Sequence, residues 1–142
     1  MTSRPALKLE PEYRSRLERK VADQLQQAGV AFGYENRKIG FSIPARTARY
    51  TPDFNCGEDG RIVIEAKGYF RKASDRQRLV LIKEQHPDLD IRLLFQDASK
   101  SIYKGSPTTY AEWATDHGFP WADKGTVPAS WIKEMKRKPT RK

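Results

Sequence analysis

The sequence predicts one α/β domain in which helices flank a mixed β-sheet, and three observations support this prediction. An apolar side chain recurs every fourth residue from Tyr13 to Leu25, which is the spacing of one helix face. After Gly29 apolar residues alternate with small or polar ones, as they do in strands. Further on, a helical segment separates two apolar strand segments, residues 62–67 and 91–95. That order favours a right-handed crossover and a parallel strand pair.

The first half of the chain is divided by turn and cap signals. A helix is predicted over residues 11–28, because Pro11 suits a first helical turn and Gly29 suits a left-handed stop. Strand signals lie at residues 32–34 and 39–43, where residues 36–38 either turn between two strands or simply bend one strand. Another strand is expected at residues 50–54, with a polar connection before it at 44–49 and a turn after it at 55–60. Residues 62–67 form the strongest strand signal, which Gly68 closes.

The second half predicts three helices and one strand. Ser74 and Gln77 resemble a capping box that opens a helix running to about residue 85. Ser106 and Pro107 suit the start of another helix, which Gly118 ends. Residues 128–135 favour a short last helix. With the apolar strand at 91–95, the main elements follow the order α-β-β-β-α-β-α.

Length and charge limit the function classes. A chain of 142 residues with 37% hydrophobic content suits one domain with a core, predicted over residues 11–135. Residues 1–10 are expected to form a flexible basic arm and residues 136–142 a basic tail. The 27 Lys and Arg exceed the 18 Asp and Glu, so the net charge is +9. This surplus favours a polyanionic partner, although a merely soluble basic protein remains an alternative.

Cysteine usage and hydropathy indicate the cellular compartment in which the protein is expected to act. Cys56 is the only cysteine, which excludes an internal disulfide and a cysteine-based zinc site. The first 16 residues contain no apolar stretch of the secretory type. No segment is apolar enough to span or enter a membrane. A reducing, cytoplasmic location is therefore expected.

The residues most suited to chemistry are Pro52-Asp53 and, after a turn, Glu65-Ala66-Lys67. Glu65 and Lys67 are two apart on a strand and so leave the same face, and the turn can fold Asp53 back beside Glu65. Carboxylate oxygens are natural ligands of Mg²⁺, which can activate water and stabilise the phosphate and leaving oxygen in phosphodiester cleavage. A lysine beside the metal can stabilise the charged phosphate. The cluster therefore predicts a metal-dependent nuclease.

A structural interpretation of the same residues stands beside this one. Glu-x-Lys on a strand is often a solvated face with an ion pair, and Asp after Pro is common in turns. Three features favour the functional interpretation. Glu65 and Lys67 lie within an apolar strand, Gly68 lets backbone approach a ligand, and the acids cluster in a basic chain.

These segments resemble known nucleases. Pro-Asp, a turn and then Glu-x-Lys is similar to the motif of the PD-(D/E)xK nuclease superfamily. Seven segments, in the same order, resemble the phage endonuclease I family of Holliday-junction resolvases. They are RSRLE, YTPDF, EAKG, EQHP, LDIR, YKGSPT and ASWIKE, beginning at residues 14, 50, 65, 84, 89, 103 and 129. The resemblance extends from about Tyr13 to Glu134.

The resemblance implies a role for each matching residue. Asp53 and Glu65 would ligate divalent metal together with the backbone carbonyl of Ala66, and Lys67 would be the catalytic lysine. Glu18 would complete the site from the other subunit, although the helix pattern alone favours an ordinary exposed glutamate. The family has a hydroxyl residue where Ala66 stands, a departure that leaves the backbone ligand unaffected.

The resemblance also implies the assembly and the substrate. The fold would be restriction-endonuclease-like, in a domain-swapped homodimer bridged by residues 43–49. Each site would bind two Mg²⁺ ions, for which Mn²⁺ substitutes. The enzyme would cut four-way junctions and other branched DNA in the cytoplasm of a phage-infected bacterium.

Several basic residues are candidates for contacts to DNA phosphates. They are Arg14, Arg16, Arg71, Lys72, Arg76 and Arg78. The alternatives are ion pairs with nearby acids for the first two and a solvated helix start for the others. Two other functions remain open for the whole chain: a non-catalytic junction- or DNA-binding protein, and a superfamily nuclease that cuts linear duplex DNA.

Overall fold

The computed structural model describes residues 12–43 and 46–138. The predicted arm at 1–10, the middle of the predicted bridge at 44–45 and the end of the predicted tail at 139–142 lie outside the described residues. The elements are α1 Arg16–Gln27, β1 Phe32–Tyr34, β2 Ile39–Ile43, β3 Arg46–Tyr50, β4 Phe54–Cys56, β5 Ile62–Lys67, α2 Ala73–Gln85, β6 Asp90–Phe95, α3 Tyr110–Asp116, β7 Trp121–Ala122 and α4 Ala129–Lys136. None of the described helices is long and apolar enough to cross a membrane.

Five strands form the main sheet in the order β1-β4-β5-β6-β7. The β1–β4 and β4–β5 pairs are antiparallel, whereas β5–β6 and β6–β7 are parallel. Helix α2 connects the parallel strands β5 and β6, as the pattern of the sequence predicts. The mixed α/β sheet flanked by helices is therefore confirmed. Strands β2 and β3 pair separately as a two-stranded antiparallel sheet.

Alternate residues of β5 contribute to two different cores. Ile62, Ile64 and Ala66 pack in one core with apolar residues of α1 and α4. Val63 packs in the other core, with residues of α2, α3 and the β2–β3 sheet. Because side chains alternate along a strand, Glu65 shares the face of Val63 and is itself buried. This arrangement places a carboxylate beneath α2 and the β2–β3 sheet.

Three predicted helix starts are wrong, and side-chain caps explain two of the observed starts, those of α1 and α3. Helix α1 begins at Arg16, where the Ser15 side chain accepts a hydrogen bond from the Glu18 N–H. Helix α2 begins at Ala73, and its N-cap Lys72 makes no side-chain cap bond, so the predicted capping box does not form. Helix α3 begins after Thr109, which forms a capping box with Glu112.

The strands also differ from the predictions in two places. The predicted connection at 44–49 contains most of β3, and the predicted strand at 50–54 is interrupted between β3 and β4. Strand β7 was not predicted, since two residues are too few to show alternation. It forms because Leu93 and Leu94 of β6 provide a parallel partner. The break at residues 51–53 matters most, because Asp53 lies in it.

Candidate active site

A cavity of about 370 Å³ opens where β5 ends, between α2 and the loops beside β3 and β4. Its charged lining consists of Arg14, Lys38, Lys67 and Arg78 together with Glu35, Asp53, Glu65 and Asp75. Four acids and four bases therefore line one concave surface in a chain with a net charge of +9. Such a surface suits a ligand that carries both anionic groups and a cation.

Asp53 and Glu65 meet because the β4–β5 ladder starts one residue after Asp53. The first paired residues are Phe54 and Ile64, so Asp53 and Glu65 lie side by side at the open end of the ladder. The Asp53 N–H donates to Glu65 Oε2 over 3.2 Å, and the Ala66 N–H donates to Asp53 Oδ2 over 3.0 Å. The two acids that the sequence predicted to converge therefore lie together at the end of β5.

The backbone carbonyl of Ala66 belongs to the same edge. The N–H and C=O of one strand residue point to the same side, as in the paired positions of an antiparallel ladder. Because the Ala66 N–H points to Asp53, its carbonyl oxygen also faces the Asp53 side of β5. Two carboxylates and one carbonyl therefore present oxygen atoms along one short stretch of chain.

Lys67 is held beside these acids as an ammonium ion. Its Nζ lies 3.4 Å from Glu65 Oε1, and its side chain is 22% exposed. Burial alone would lower the pKa of Lys67, but the charges of Glu65 and Asp53 outweigh it and raise that pKa above the ordinary value. The lysine is consequently charged at neutral pH, and it presents its charge to the cavity.

Burial and the neighbouring acids both disfavour the ionised form of Asp53 when no cation is bound. Burial, followed by the charges of Glu65 and Glu18, raises the pKa of Asp53 from 3.8 to about 8. Without a cation, Asp53 is therefore protonated over much of the neutral range. A group of acids that binds a proton in this way can exchange it for a divalent metal ion.

Glu18 also reaches this site, although its sequence pattern favours simple exposure. Carboxylate oxygens of Glu18, Glu35 and Asp53 lie within 4.8 Å of one another. All three residues belong to one chain here, whereas the family resemblance implies that Glu18 comes from the partner subunit. The strands β2 and β3, whose register ends at the pair Ile43 and Arg46, lie between Glu18 and Asp53 in the chain.

Glu35 is a site residue that the sequence did not indicate. Its backbone adopts a positive φ of 48°, which is unusual for a non-glycine residue, and its N–H donates to the Asp53 carbonyl over 3.3 Å. Its carboxylate pairs with Arg14 at 3.2 Å. An acid in a polar bend has no distinctive sequence signal, so only the fold brings it to the cavity.

Two tyrosine hydroxyls, also not predicted, hydrogen-bond to the acids of the site. Tyr50 donates to Glu65, and Tyr34 donates to Glu18. Burial raises the pKa of Tyr50 well above its ordinary value, and both the negative charge of Glu65 and the hydrogen bond to it act in the same direction. Burial and the hydrogen bond to Glu18 likewise raise the pKa of Tyr34. Both phenols therefore keep their protons at physiological pH.

The basic residues singled out in the sequence divide into different surroundings. Arg14 and Arg78 line the cavity, whereas Arg16 lines a separate groove beside Lys20. Lys72 is exposed at the start of α2.

Arg71 and Arg76 make contacts within the fold. The exposed Arg71 donates to the carbonyl of Ser101 over 3.0 Å. Arg76 is buried and donates to the carbonyls of Phe70 and Ile102 over 2.9 and 3.1 Å. Its guanidinium therefore connects α2 to the loop after β6, and it is the least suited of the six to contact DNA.

Two carboxylates and a lysine that converge at the end of one strand of a mixed α/β sheet suit a nuclease, and the relatives of this chain are nucleases. The comparisons identify the family. A sequence model described as phage endonuclease I matches residues 2–141, and the chain belongs to this family. It is 46% identical to Endonuclease I of Escherichia phage T7 over 125 residues, and this alignment covers 88% of this chain and 81% of that protein. It is also 46% identical over 125 residues to Endodeoxyribonuclease 1 of Enterobacteria phage T3, covering 88% of this chain and 80% of that protein.

Proposed function

We propose that this nuclease is a metal-dependent, structure-selective endodeoxyribonuclease that resolves four-way (Holliday) and other branched DNA junctions by hydrolysing phosphodiester bonds. The observation that carries the proposal is the convergence of Asp53, Glu65 and Lys67 at the end of β5, with Glu18 beside Asp53. DNA as the substrate is in keeping with the relative named endodeoxyribonuclease and with the net charge of +9. The expected place of action is the cytoplasm of an infected bacterium.

The donor atoms of the site suit Mg²⁺, with Mn²⁺ as a substitute. The side chains of Asp53 and Glu65 and the carbonyl of Ala66 offer hard oxygen ligands, which Mg²⁺ prefers. Glu18 lies near Asp53 and would help to hold a second ion. Bound divalent metal supplies charge neutralisation for the phosphate and acidifies the attacking water. The raised pKa of Asp53 fits this assignment, because a bound cation would offset both the burial and the neighbouring negative charges that disfavour its ionised form.

The side chains of this chain have separate tasks in the proposed reaction. Lys67 places a positive charge at the cavity, where the non-bridging oxygens of the scissile phosphate gain negative charge. Arg78 lines the same cavity and would bind a neighbouring phosphate. Attack in line with the 3′ oxygen as leaving group would produce 5′-phosphate ends.

The proposed assembly is a homodimer in which the two chains exchange their first elements. Only residues 44 and 45 separate the paired strands β2 and β3. If the chain continues straight there, β2 of one chain can pair with β3 of the other and preserve the same contacts. Glu18 would then join Asp53, Glu65 and Lys67 of the partner chain. Two such sites suit a substrate in which two strands must be cut.

The test compares a four-way junction with a linear duplex of the same arm sequence, each with Mg²⁺ or with EDTA. We expect the junction alone to be cut, and only with metal. Binding without cleavage in Mg²⁺ would favour a non-catalytic junction-binding protein. Equal cleavage of both substrates would favour a nuclease of linear duplex DNA. Either result would contradict the proposal.

A further inference from the structure

We propose that Tyr50 and Tyr34 are positioning residues that orient the carboxylates of Glu65 and Glu18 before metal and DNA bind. The inference rests on the proposed function, since it assigns a role to residues around the same metal site. Each tyrosine donates its hydroxyl hydrogen to one of these acids. An ionised carboxylate can only accept hydrogen bonds, so the phenol must be the donor in both pairs.

Tyr50 is built into the core next to its acid. Both Tyr50 and Glu65 are 4% exposed, so water has little access to the bond between them. Glu65 Oε2, which accepts from Tyr50, also accepts from the Asp53 N–H at 3.2 Å. The other oxygen, Oε1, lies 3.4 Å from Lys67 Nζ. The phenol is therefore one of three contacts that fix which way the carboxylate turns.

Tyr34 has the corresponding place beside Glu18. Its hydroxyl donates to Glu18 Oε1, which also accepts from the Arg14 N–H over 3.2 Å. Its ring packs against Tyr13 and Phe54, with ring centroids 4.5 and 5.4 Å away. Phe54 directly follows Asp53 in the chain. The packing of Tyr34 on Phe54 therefore also holds Glu18, the partner of Tyr34, close to Asp53.

The two pairs are separated by the connection between β2 and β3. Tyr34 and Glu18 precede residue 44, whereas Tyr50 and Glu65 follow residue 45. Each tyrosine therefore stays on the same chain as its acid even if the chains exchange at that connection. Each half of the site is oriented within its own chain, and assembly only has to bring two prepared halves together.

The physical consequence concerns metal affinity more than DNA affinity. A glutamate side chain has several rotamers, and a ligand that must select one of them binds less tightly. Removing a hydroxyl that holds the carboxylate releases those rotamers but leaves every charge of the cavity in place. Loss of groups that orient metal ligands weakens metal binding by roughly 10- to 100-fold.

The test uses Tyr50→Phe and Tyr34→Phe in the full chain, with Tyr103→Phe as a matched control on an exposed tyrosine outside the cavity lining. Binding of Mn²⁺ alone is measured by isothermal titration calorimetry. Cleavage of a four-way junction is measured against Mg²⁺ concentration, and junction binding is measured in EDTA. Circular dichroism and thermal unfolding check that each variant folds.

For each site variant we expect Mn²⁺ binding to weaken by about tenfold or more. The Mg²⁺ needed for half-maximal cleavage should rise, and high Mg²⁺ should restore most of the rate. Junction affinity in EDTA should stay within about twofold of the wild type, since no charge is removed.

Unchanged Mn²⁺ affinity in a folded variant overturns the role of that tyrosine. A loss of Mn²⁺ affinity no larger than that of the Tyr103→Phe control also overturns that role. If the wild-type protein itself neither binds Mn²⁺ nor cuts the junction, the proposed function fails. If the wild type does both and the variants match it, only the positioning role fails.

Discussion

Asp53 and Glu65 are connected by a hydrogen bond from the main chain: the Asp53 N–H donates to the Glu65 carboxylate over 3.2 Å. The Asp53 carboxylate in turn accepts from the N–H of Ala66, the residue after Glu65, over 3.0 Å. Backbone donors thus hold two acids together that would otherwise repel. Because an amide oxygen can accept the same bonds, isosteric amide substitutions should remove charge without moving the backbone.

The first prediction concerns Asp53→Asn and Glu65→Gln. Each should lower the rate of junction cleavage by at least roughly a hundredfold, because each removes the negative charge of a proposed metal ligand. Junction binding measured in EDTA should stay near the wild-type value, since the basic residues are unchanged. Cleavage by either variant at a rate close to that of the wild type would show that the site lies elsewhere.

Lys67→Gln should separate catalysis from metal binding. We expect cleavage to slow by roughly a hundredfold, because the ammonium no longer stabilises the phosphate in the transition state. Metal affinity should be equal or higher, since a positive charge 3.4 Å from Glu65 Oε1 has been removed. Calorimetry with Mn²⁺ measures this directly. Weaker metal binding in this variant would mean that Lys67 supports the metal site and not the phosphate.

The metal-free protein should lose stability as pH rises from about 4 to about 8. Asp53 has a pKa of about 8 in the folded chain against 3.8 for a solvent-exposed aspartate as in the unfolded chain, so only the folded state binds its proton within this window. Stability therefore falls on the order of 1 kcal/mol per pH unit and levels off above the folded pKa. Urea unfolding in EDTA at several pH values measures the slope.

Asp53→Asn is the control for that slope. The variant cannot ionise at residue 53, so its stability should depend less on pH and should exceed that of the wild type near pH 8. Equal slopes for the two proteins would contradict the raised pKa.

A mixed dimer tests the proposed exchange of chains. A Glu18→Gln chain paired with a Glu65→Gln chain would place both changes in one site and leave the other site intact if the chains exchange. Such a dimer should cut one strand of a junction. If each site uses residues of one chain only, both sites carry a change and cleavage should be lost. Each homodimer of the single variants is the inactive control.

Arg76→Ala and Arg78→Ala should differ although the two residues are close in sequence. Arg76 is buried on two backbone carbonyls, so its loss should lower stability by about 1.5–3 kcal/mol. Arg78 is exposed and lines the cavity, so its loss should weaken junction binding and reduce the salt slope by about 0.9. Unfolding and salt-dependent binding curves distinguish them. A reversed pattern would mean that Arg76 contacts DNA.

The sequence predicted the features that depend on local periodicity. The alternation in β5 correctly separated Glu65 from the apolar face of Ile62 and Ile64, because a strand repeats every two residues wherever it lies. The single turn between β4 and β5 also made the approach of Asp53 to Glu65 predictable. Helix starts were less predictable, since several Ser and Thr residues compete to be caps and packing selects among them.

What only the tertiary structure decided involves residues far apart in the chain. Tyr50 and Glu65 are 15 residues apart, and Tyr34 and Glu18 are 16 apart, so no short pattern connects them. Arg76 and Arg78 were both candidates for contacts to DNA phosphates, but a helix turns about 100° per residue and sends residues two apart to nearly opposite sides. Arg76 is therefore buried, whereas Arg78 lines the cavity. The sequence by itself determined strands β5 and β6, the helix between them and the acids at the end of β5, because periodicity is local. Packing determined which side chains orient those acids, because burial depends on elements that meet only in the fold.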